Sequence, residues 1–190
     1  MSTTYRIDKH GAFHSSNDIY NLGDIILKLM NSERVRHGIK IAYEIFDVSS
    51  FKIAGGFLRD TVCEKPVKDL DIFTENRLLF PDYKIQPSYG NGSVLSTRII
   101  EHGGEQVNLC LVPDLKNLVN KFPLNISKIA YHSDGLFQVT YDFMTDVNLK
   151  TLTQGDPLYA NEDYFERIKQ KYSDFSFRRG TSPIDGIPFF

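Results

Sequence analysis

The sequence predicts an α+β protein in which helices flank a mixed β-sheet. Apolar residues recur at spacings of three and four between residues 17 and 46, which indicates two amphipathic helices. A strand, a glycine turn, a helix and a second strand follow over residues 51–74, and two hairpin patterns come after them. Helices that precede such strands are typical of a mixed sheet with helices packed on it.

Residues 1–50 are predicted to contain the two N-terminal helices. Residues 1–16 show no periodicity and are expected to be irregular. The first helix should begin near Asn17, and the second should end near Phe46. Gly38 lies within the second helix and weakens this prediction, because glycine disfavours a helix interior by about 1 kcal/mol relative to alanine. The face of the second helix that should point inward comprises Val35, Ile39, Ala42, Tyr43 and Phe46.

Residues 51–142 are predicted to form the central sheet. Phe51–Ala54 is an apolar run that stops at Gly55-Gly56, which is typical of a buried strand that enters a turn. A short helix and a second strand should follow. Two hairpins complete the sheet, because glycine-containing turns separate their strands. The predicted segments are a helix at 57–64, a strand at 69–74, and hairpins at 94–112 and 126–141.

The remaining segments carry weaker patterns. Residues 75–92 contain prolines and glycines and are predicted to be mostly loop, while residues 114–120 are predicted to form a short helix. Residues 143–190 should contain one charged C-terminal helix, at 164–172, and an irregular tail. A chain of this length usually forms one domain, so residues 1–190 are expected to be a single unit.

Composition limits the functional classes. The chain is 41% hydrophobic and 24% charged, and no apolar run approaches the roughly 20 residues of a membrane helix. Cys63 and Cys110 do not suggest a disulfide framework, so we expect a reducing, cytoplasmic environment. With a net charge of −2, any nucleic acid would have to contact a local basic patch. The histidines are scattered and predict no zinc site.

The Gly55-Gly56 pair is the first feature that carries chemistry. A predicted strand runs into these glycines and a helix follows, so a ligand can approach the backbone without meeting a Cβ atom. Amides at the start of a helix favour an anion. We therefore predict a phosphate-binding turn, although a Gly-Gly pair by itself more often marks an ordinary turn.

Asp69 and Asp71 are the second such feature. Residues two apart on a strand point to the same face, so the two carboxylates should lie together. Adjacent carboxylates repel each other unless a cation lies between them, and hard oxygen ligands select Mg²⁺ (or Mn²⁺). A phosphate turn beside a magnesium-binding acid pair predicts phosphoryl or nucleotidyl transfer.

These residues resemble a known signature. GGFLRD at 55–60, followed by DLD at 69–71, looks like the GG-x-x-RD and D-x-D pattern of class II CCA-adding enzymes and bacterial poly(A) polymerases, in the DNA polymerase beta superfamily. The resemblance covers residues 51–74 and implies a nucleotidyltransferase head. The site residues that it implies are Gly55, Gly56, Arg59, Asp60 and Lys68 for the nucleotide phosphates, and Asp69 and Asp71 for catalysis and Mg²⁺.

Two segments depart from this signature. The superfamily usually has a third carboxylate on a later strand, and Asn108 occupies the best-placed position. An amide oxygen can bind a metal but brings no negative charge, which leaves activity open. Glu105 and Asp114 are nearby acids, although Glu105 has the opposite strand parity. Residues 121–131 resemble the family stretch R-R-D-F-T-I-N-A only faintly, and a core strand is the alternative.

The leading prediction is a nucleotidyltransferase that moves a nucleoside monophosphate from a nucleoside triphosphate to an acceptor hydroxyl, with an RNA or tRNA 3′ end as the first choice. The alternatives are a catalytically impaired nucleotide- or RNA-binding module, and transfer to a small molecule or a protein. The length of the chain implies a stand-alone, phage-like head, which would act in the host cytoplasm if phage-encoded.

Basic residues near the C-terminus are the candidates for RNA binding. They are interleaved with aromatic residues, as in many nucleic-acid-binding surfaces. The alternative is a solvated helix face followed by core aromatics, which is the commoner outcome for a run of charges. The candidates are Arg167, Lys169, Lys171, Arg178 and Arg179.

Overall fold

The computed structural model describes residues 4–7, 19–46, 50–80, 94–155 and 162–178. The described helices are α1 (Ile19–Asn31), α2 (Glu33–Ile45), α3 (Gly56–Val62), α4 (Tyr141–Leu149) and α5 (Glu162–Lys171). The described strands are β1 (Thr4–Ile7), β2 (Phe51–Ala54), β3 (Leu70–Thr74), β4 (Ser96–His102), β5 (Glu105–Leu111), β6 (Ile129–His132), β7 (Phe137–Thr140), β8 (Thr151–Thr153) and β9 (Ser176–Arg178). None of the helices in these ranges is long and apolar enough to cross a membrane.

Seven of these strands form the central sheet, in the order β1-β7-β6-β2-β3-β5-β4. β3 and β5 run parallel, and the other neighbouring pairs are antiparallel. β8 and β9 form a separate, parallel two-stranded sheet. The predicted α+β class, with helices flanking a mixed sheet, is therefore confirmed.

The helices cover one face of the central sheet, and we call it the helix face. Ile53 pairs with Ile72, which pairs with Leu109, and all three are at most 3% exposed. They belong to one large apolar cluster with residues of α1, α2 and α3. Burial of each such side chain stabilises the fold by roughly 2 kcal/mol.

The opposite face carries the alternate residues of the same strands, and we call it the site face. Phe73 pairs with Lys52 and with Cys110, so these side chains share that face. A smaller apolar cluster forms here, because the segment 112–122 crosses the face and covers Ala54, Phe73 and Cys110. Asp71 and Asn108 lie on the same face and remain partly exposed.

Both predicted N-terminal helices are present. The Ser32 hydroxyl accepts a hydrogen bond from the Val35 amide (3.3 Å) and caps α2. Gly38 lies where α2 approaches α3, since a Cβ atom at that position would be 2.7 Å from the Phe57 ring. The inward orientation predicted for Tyr43 is wrong, because the side chain is 42% exposed. Its hydroxyl donates to the Ser133 carbonyl in the turn between β6 and β7 (2.8 Å).

The predicted hairpins are also present. β4 and β5 are joined by Gly103-Gly104, with φ angles of +59° and +80° that favour glycine. β6 and β7 flank the turn that contains Gly135 (φ +86°). The helix predicted at 114–120 is instead a short 3₁₀ helix at Leu118–Lys121, and a 3₁₀ turn at Arg77–Leu79 interrupts the predicted loop.

Two predictions about the chain ends are wrong. The segment expected to be irregular contains β1, which pairs with β7 from a distant part of the chain. Residues 143–190 contain more than one helix and a tail, because α4 begins at Tyr141 and is followed by β8, α5 and β9. The Thr140 hydroxyl caps α4 by accepting from the Phe143 amide (3.2 Å). The predicted C-terminal tail, residues 180–190, lies outside the described residues.

Candidate active site

The glycine turn joins β2 to α3. Gly55 has φ +72°, a conformation that L side chains rarely adopt, and a Cβ atom there would be 3.4 Å from the Phe122 ring. Its amide donates to the Ile129 carbonyl (3.4 Å), and its carbonyl accepts from the Arg59 amide (3.0 Å). Gly55 is therefore required by its own backbone conformation, before any ligand is considered.

Gly56 is glycine for a different reason. Its φ lies outside the left-handed region, and a Cβ atom there would meet only the Arg59 Nη2 atom at 3.5 Å and the Asp60 Oδ2 atom at 4.0 Å, which are ordinary contacts. The protein itself therefore tolerates a side chain at position 56. The turn stays open in front of a charged pair, as a phosphate-binding backbone needs.

Asp71 and Asn108 are directly paired across the parallel strands β3 and β5. Asn108 Nδ2 donates to Asp71 Oδ1 at 2.8 Å, and Gln106 Nε2 donates to Asn108 Oδ1 at 3.4 Å. Asn108 therefore lies beside Asp71. The Asn108 amide orients the carboxylate that a third acid would repel.

Burial raises the pKa of Asp71 to about 6, although the hydrogen bond from Asn108 opposes the shift. The Asp69 carboxylate raises that pKa further, and it also raises the pKa of Cys110, which burial shifts upward most. Asp69 was predicted to share a strand, and therefore a face, with Asp71. It lies immediately before β3 and not within it.

Lys68 lies at the rim of this site. Its side chain is 77% exposed, and its Nζ atom is 4.0 Å from Asp69 Oδ2. An ion pair this open contributes little to folding, roughly 0–1 kcal/mol, so the lysine remains available to a ligand.

The other two nearby acids are directed elsewhere. Glu105 accepts from Arg34 Nη2 of α2 at 2.8 Å, on the helix face, as its strand parity predicts. Asp114 accepts from the Asn117 amide (3.0 Å) and from Lys121 Nζ (3.2 Å), and its pKa is lowered to about 2, chiefly by Asn117. Neither supplies a third carboxylate.

The donor set of the site nevertheless suits a magnesium ion. Asp69 and Asp71 offer hard carboxylate oxygen atoms, and a cation bound by both would offset the burial and repulsion that raise the pKa of Asp71. Within the described ranges, no group of three or more His, Cys, Asp or Glu side chains could hold a metal ion. Asn108 adds an amide beside Asp71 but no negative charge.

Arg59 and Asp60 lie behind the glycine turn, with exposures of 4% and 3%. Arg59 Nε donates to Asp60 Oδ1 at 2.7 Å, and Arg59 Nη1 donates to Ser127 Oγ at 3.0 Å. The resemblance implies that Arg59 either contacts phosphate or braces the loop, and these contacts agree with bracing. The Nη2 atom faces Gly56.

The C-terminal helix also reaches this pair, which the sequence did not indicate. Tyr172, directly after α5, is fully buried, and its hydroxyl donates to Asp60 Oδ1 at 2.6 Å. Lys171 Nζ donates to Asp60 Oδ2. No local pattern relates these residues to α3, because more than a hundred positions separate them.

Among the described RNA-binding candidates, the two lysines are each paired with a carboxylate. Lys171 is engaged by Asp60, and Lys169 pairs with Glu166 (2.5 Å) and lies 4.4 Å from the centroid of the Phe177 ring. Arg167 and Arg178 are exposed, and Arg179 lies outside the described residues. The contacts of the two lysines agree with the alternative of a helix face followed by packed aromatics.

A second polar cluster on the site face was also not anticipated. Lys52 is 4% exposed, and its Nζ atom donates to the Lys116 carbonyl (3.1 Å) and to Gln138 Oε1 (3.3 Å). His132 Nε2 lies 2.9 Å from the same Gln138 oxygen. The one sequence signal was a lysine within the apolar run of β2, on the parity of Ala54.

Comparison with solved structures finds CCA-adding enzymes. The enzyme of Thermotoga maritima, complexed with tRNA, is 16% identical, with a TM-score of 0.55 over 84% of this chain and 43% of its own. The enzyme of Bacillus stearothermophilus, in complex with CTP, is 14% identical, with a TM-score of 0.52 over 77% of this chain and 41% of its own. A CCA-adding enzyme in complex with ATP is 16% identical, with a TM-score of 0.52 over 83% of this chain and 42% of its own.

These matches show the fold. The chain has the α+β architecture of a part of the CCA-adding enzymes, and it spans less than half the length of each. No protein-family model matches the sequence, and no curated protein matches it. The resemblance first drawn from two short motifs therefore extends to the architecture that carries them.

Proposed function

We propose that this protein is a nucleotidyltransferase, which transfers a nucleoside monophosphate from a nucleoside triphosphate to an RNA or tRNA 3′ hydroxyl with Mg²⁺ or Mn²⁺. The observation that carries the proposal is the position of Asp71 beside the glycine turn. The register Ile53–Ile72 brings Asp71 next to the end of β2, where Gly55 begins the turn. A nucleotide with its phosphates on that turn would have its reacting phosphorus at the acid pair.

Different residues would position the triphosphate and the metal. Gly55 and Gly56 would receive the triphosphate, with Arg59 behind them and Lys68 at the rim. Asp69 and Asp71 would hold the metal, while Asn108 fixes one oxygen of Asp71 by its 2.8 Å hydrogen bond. When bound, Mg²⁺ would lower the pKa of the attacking hydroxyl and stabilise the leaving pyrophosphate. Such transfers are accelerated mainly by positioning and electrostatics.

RNA is proposed as the acceptor from the structural neighbours. The solved CCA-adding enzymes include complexes with tRNA, CTP and ATP, and the same fold could present an RNA end to the acid pair here. Of the described RNA-binding candidates, Arg167 and Arg178 are exposed and would remain for a phosphate backbone. Transfer to a small molecule or a protein would use the same acid pair and differs only in the acceptor.

A second candidate function rests on Asn108. The asparagine brings no negative charge to a position where the superfamily usually has a carboxylate, so the chain would bind a nucleoside triphosphate or RNA without turning it over. The metal affinity of the site would be lower, because two carboxylates attract a divalent cation less than three do. Binding without product is the signature of this alternative.

The test is incorporation of label from each of the four nucleoside triphosphates, with Mg²⁺ or Mn²⁺, into total tRNA and into the protein itself. We expect product with the wild type and a loss of more than about 10³-fold with the Asp69→Asn/Asp71→Asn double variant. Asp24→Asn is the matched control, since it removes an exposed carboxylate of α1. Product that survives the double substitution would refute the proposal.

Asn108→Asp separates the two candidate functions. If the wild type binds a nucleoside triphosphate but yields no product, and Asn108→Asp does yield product, the chain is an impaired module whose third carboxylate has been lost. If the wild type is already active, restoring the acid should change the metal requirement and leave the requirement for Asp69 and Asp71 in place.

A further inference from the structure

We propose that Lys171 is a positioning residue for the triphosphate, and that it supplies the net positive charge behind Gly56 through Asp60 and Arg59. The inference rests on the proposed function and deepens it. It assigns to α5, which lies far from the glycine turn in sequence, a part in nucleotide binding.

The contacts form one continuous chain from α5 to the turn. Lys171 Nζ donates to Asp60 Oδ2, and Asp60 Oδ1 accepts from Arg59 Nε at 2.7 Å. The Arg59 Nη2 atom then lies 3.5 Å from the position that a Cβ atom of Gly56 would occupy. Each link is a charged hydrogen bond or a direct contact, so a change in Lys171 reaches the turn without passing through the apolar core.

The charges along this chain explain why Lys171 matters. Arg59 and Asp60 are both buried and neutralise each other, so the pair alone presents no net charge to an anion. Lys171 adds a third charge and leaves the cluster with an excess of one positive charge. Because the side chain of Asp60 is 5% exposed and that of Lys171 is 24% exposed, solvent screens this excess only partly.

The remaining contacts keep the guanidinium fixed. Ser127 and Tyr164 accept from Arg59 Nη1 at 3.0 and 3.4 Å, and Tyr172 accepts from Arg59 Nε at 3.1 Å. The Arg59 guanidinium carbon also lies 5.4 Å from the centroid of the Tyr172 ring. With two of its three nitrogens held by the protein, Arg59 can offer the third toward Gly56 at a fixed position.

The experiment measures affinity for MgATP and for inorganic tripolyphosphate with Mg²⁺ by calorimetry, on the full chain. Lys171→Gln keeps the aliphatic stem and removes the charge, and we expect it to weaken both affinities by about ten-fold. Lys171→Arg keeps the charge and should bind within about two-fold of the wild type. Lys40→Gln is the matched control, since Lys40 is 72% exposed and pairs with Glu44 on α2.

Two further readouts separate charge from structure. In the incorporation assay, Lys171→Gln should raise the KM for the nucleotide and leave kcat nearly unchanged, because the acid pair is untouched. Tyr172→Phe removes a hydroxyl that donates to Asp60 and accepts from Arg59 but changes no charge, so it should weaken the affinity less than Lys171→Gln does. Thermal unfolding of each variant shows which of them are folded.

The outcomes are distinct. Equal affinity of the wild type and folded Lys171→Gln would overturn the inference and leave the proposed function standing. A large loss with Tyr172→Phe and none with Lys171→Arg or Lys171→Gln would overturn it as well, because the hydroxyl geometry would then matter and not the charge. A wild type that binds neither MgATP nor tripolyphosphate and yields no product would overturn the proposed function, and the inference with it.

Discussion

On the helix face of the central sheet, Ile53, Ile72 and Leu109 contact one another and the helices, and none of them is more than 3% exposed. One residue earlier in β3 and in β5, on the site face, Asp71 and Asn108 are paired and partly exposed. The same β-strands thus alternate between a continuous apolar core and a set of polar groups. Alternation allows this, because successive side chains of a strand point to opposite faces.

The difference between the faces separates stability from chemistry. The helix face buries a large cluster and provides most of the hydrophobic stabilisation, whereas the site face has a small cluster covered by the segment 112–122. Asp71 and Asn108 lie on this face outside the cluster and are only partly exposed. A change on the helix face should therefore affect folding, and a change on the site face should affect binding more than folding.

The largest expected effect comes from the helix face. Ile72→Ala should lower the free energy of unfolding by about 3 kcal/mol, because it removes a fully buried side chain and leaves a cavity. Ile99→Ala is the same substitution on the site face, at a side chain 65% exposed, and should cost less than about 0.5 kcal/mol. Urea unfolding of both variants measures this difference, and equal losses would contradict the division between faces.

The comparison also shows what the sequence could predict. Strand parity is a local property, and the pairing of β3 with β5 places Asp71 and Asn108 side by side on one face. The glycine turn and the hairpins were equally local, since their signals are single residues with special backbone angles. The fold of the site therefore followed from short segments of sequence.

The parts that could not be predicted depend on contacts between distant segments. Lys171 was interpreted as an RNA-binding candidate because its neighbours in sequence are basic and aromatic, yet its partner is Asp60. β1 was missed because a four-residue strand is stabilised by pairing with β7 and not by its own pattern. Tyr43 was placed inward because helical periodicity gives no information about the partner of its hydroxyl, the Ser133 carbonyl in the turn between β6 and β7.

An intermediate effect is expected at the two glycines of the turn. Gly55→Ala should destabilise the fold by about 1–3 kcal/mol, because alanine is strained at φ +72°. Gly56→Ala should change stability by less than about 0.5 kcal/mol, since its Cβ atom would make only ordinary contacts. Gly56→Ala should nevertheless weaken MgATP binding, because the new methyl group narrows the approach to the turn.

Thermal unfolding together with calorimetry distinguishes the two glycines. If Gly56→Ala binds MgATP as tightly as the wild type, the phosphates do not lie on this turn. If Gly55→Ala is as stable as the wild type, the backbone at Gly55 can adopt another conformation, and the turn is less fixed than its hydrogen bonds to Ile129 and Arg59 indicate.

The smallest expected effect is the pH dependence of Asp71 in metal-free buffer. Burial raises the pKa of this carboxyl to about 6, above its value in an unfolded chain, so the group favours folding below about pH 4. That contribution is lost as the pH rises through about 6, because the carboxyl ionises there while it is still partly removed from water. Asp71→Asn, which can still accept from Asn108, should therefore be more stable than the wild type by about 1 kcal/mol at about pH 7.5.

Melting temperatures at about pH 4 and about pH 7.5 test whether Asp71→Asn is the more stable protein at the higher pH. The advantage of Asp71→Asn should shrink toward zero at the lower pH, where the wild-type carboxyl is protonated, and Asp24→Asn should show no such trend. Added Mg²⁺ should stabilise the wild type at the higher pH and have little effect on Asp71→Asn, because the cation favours the ionised carboxylate that the variant lacks. If Asp71→Asn is less stable than the wild type at the higher pH without metal, the ionised Asp71 carboxylate stabilises the fold. The site face would then contribute to folding as well as to binding, and the proposed contrast between the two faces would be wrong at Asp71.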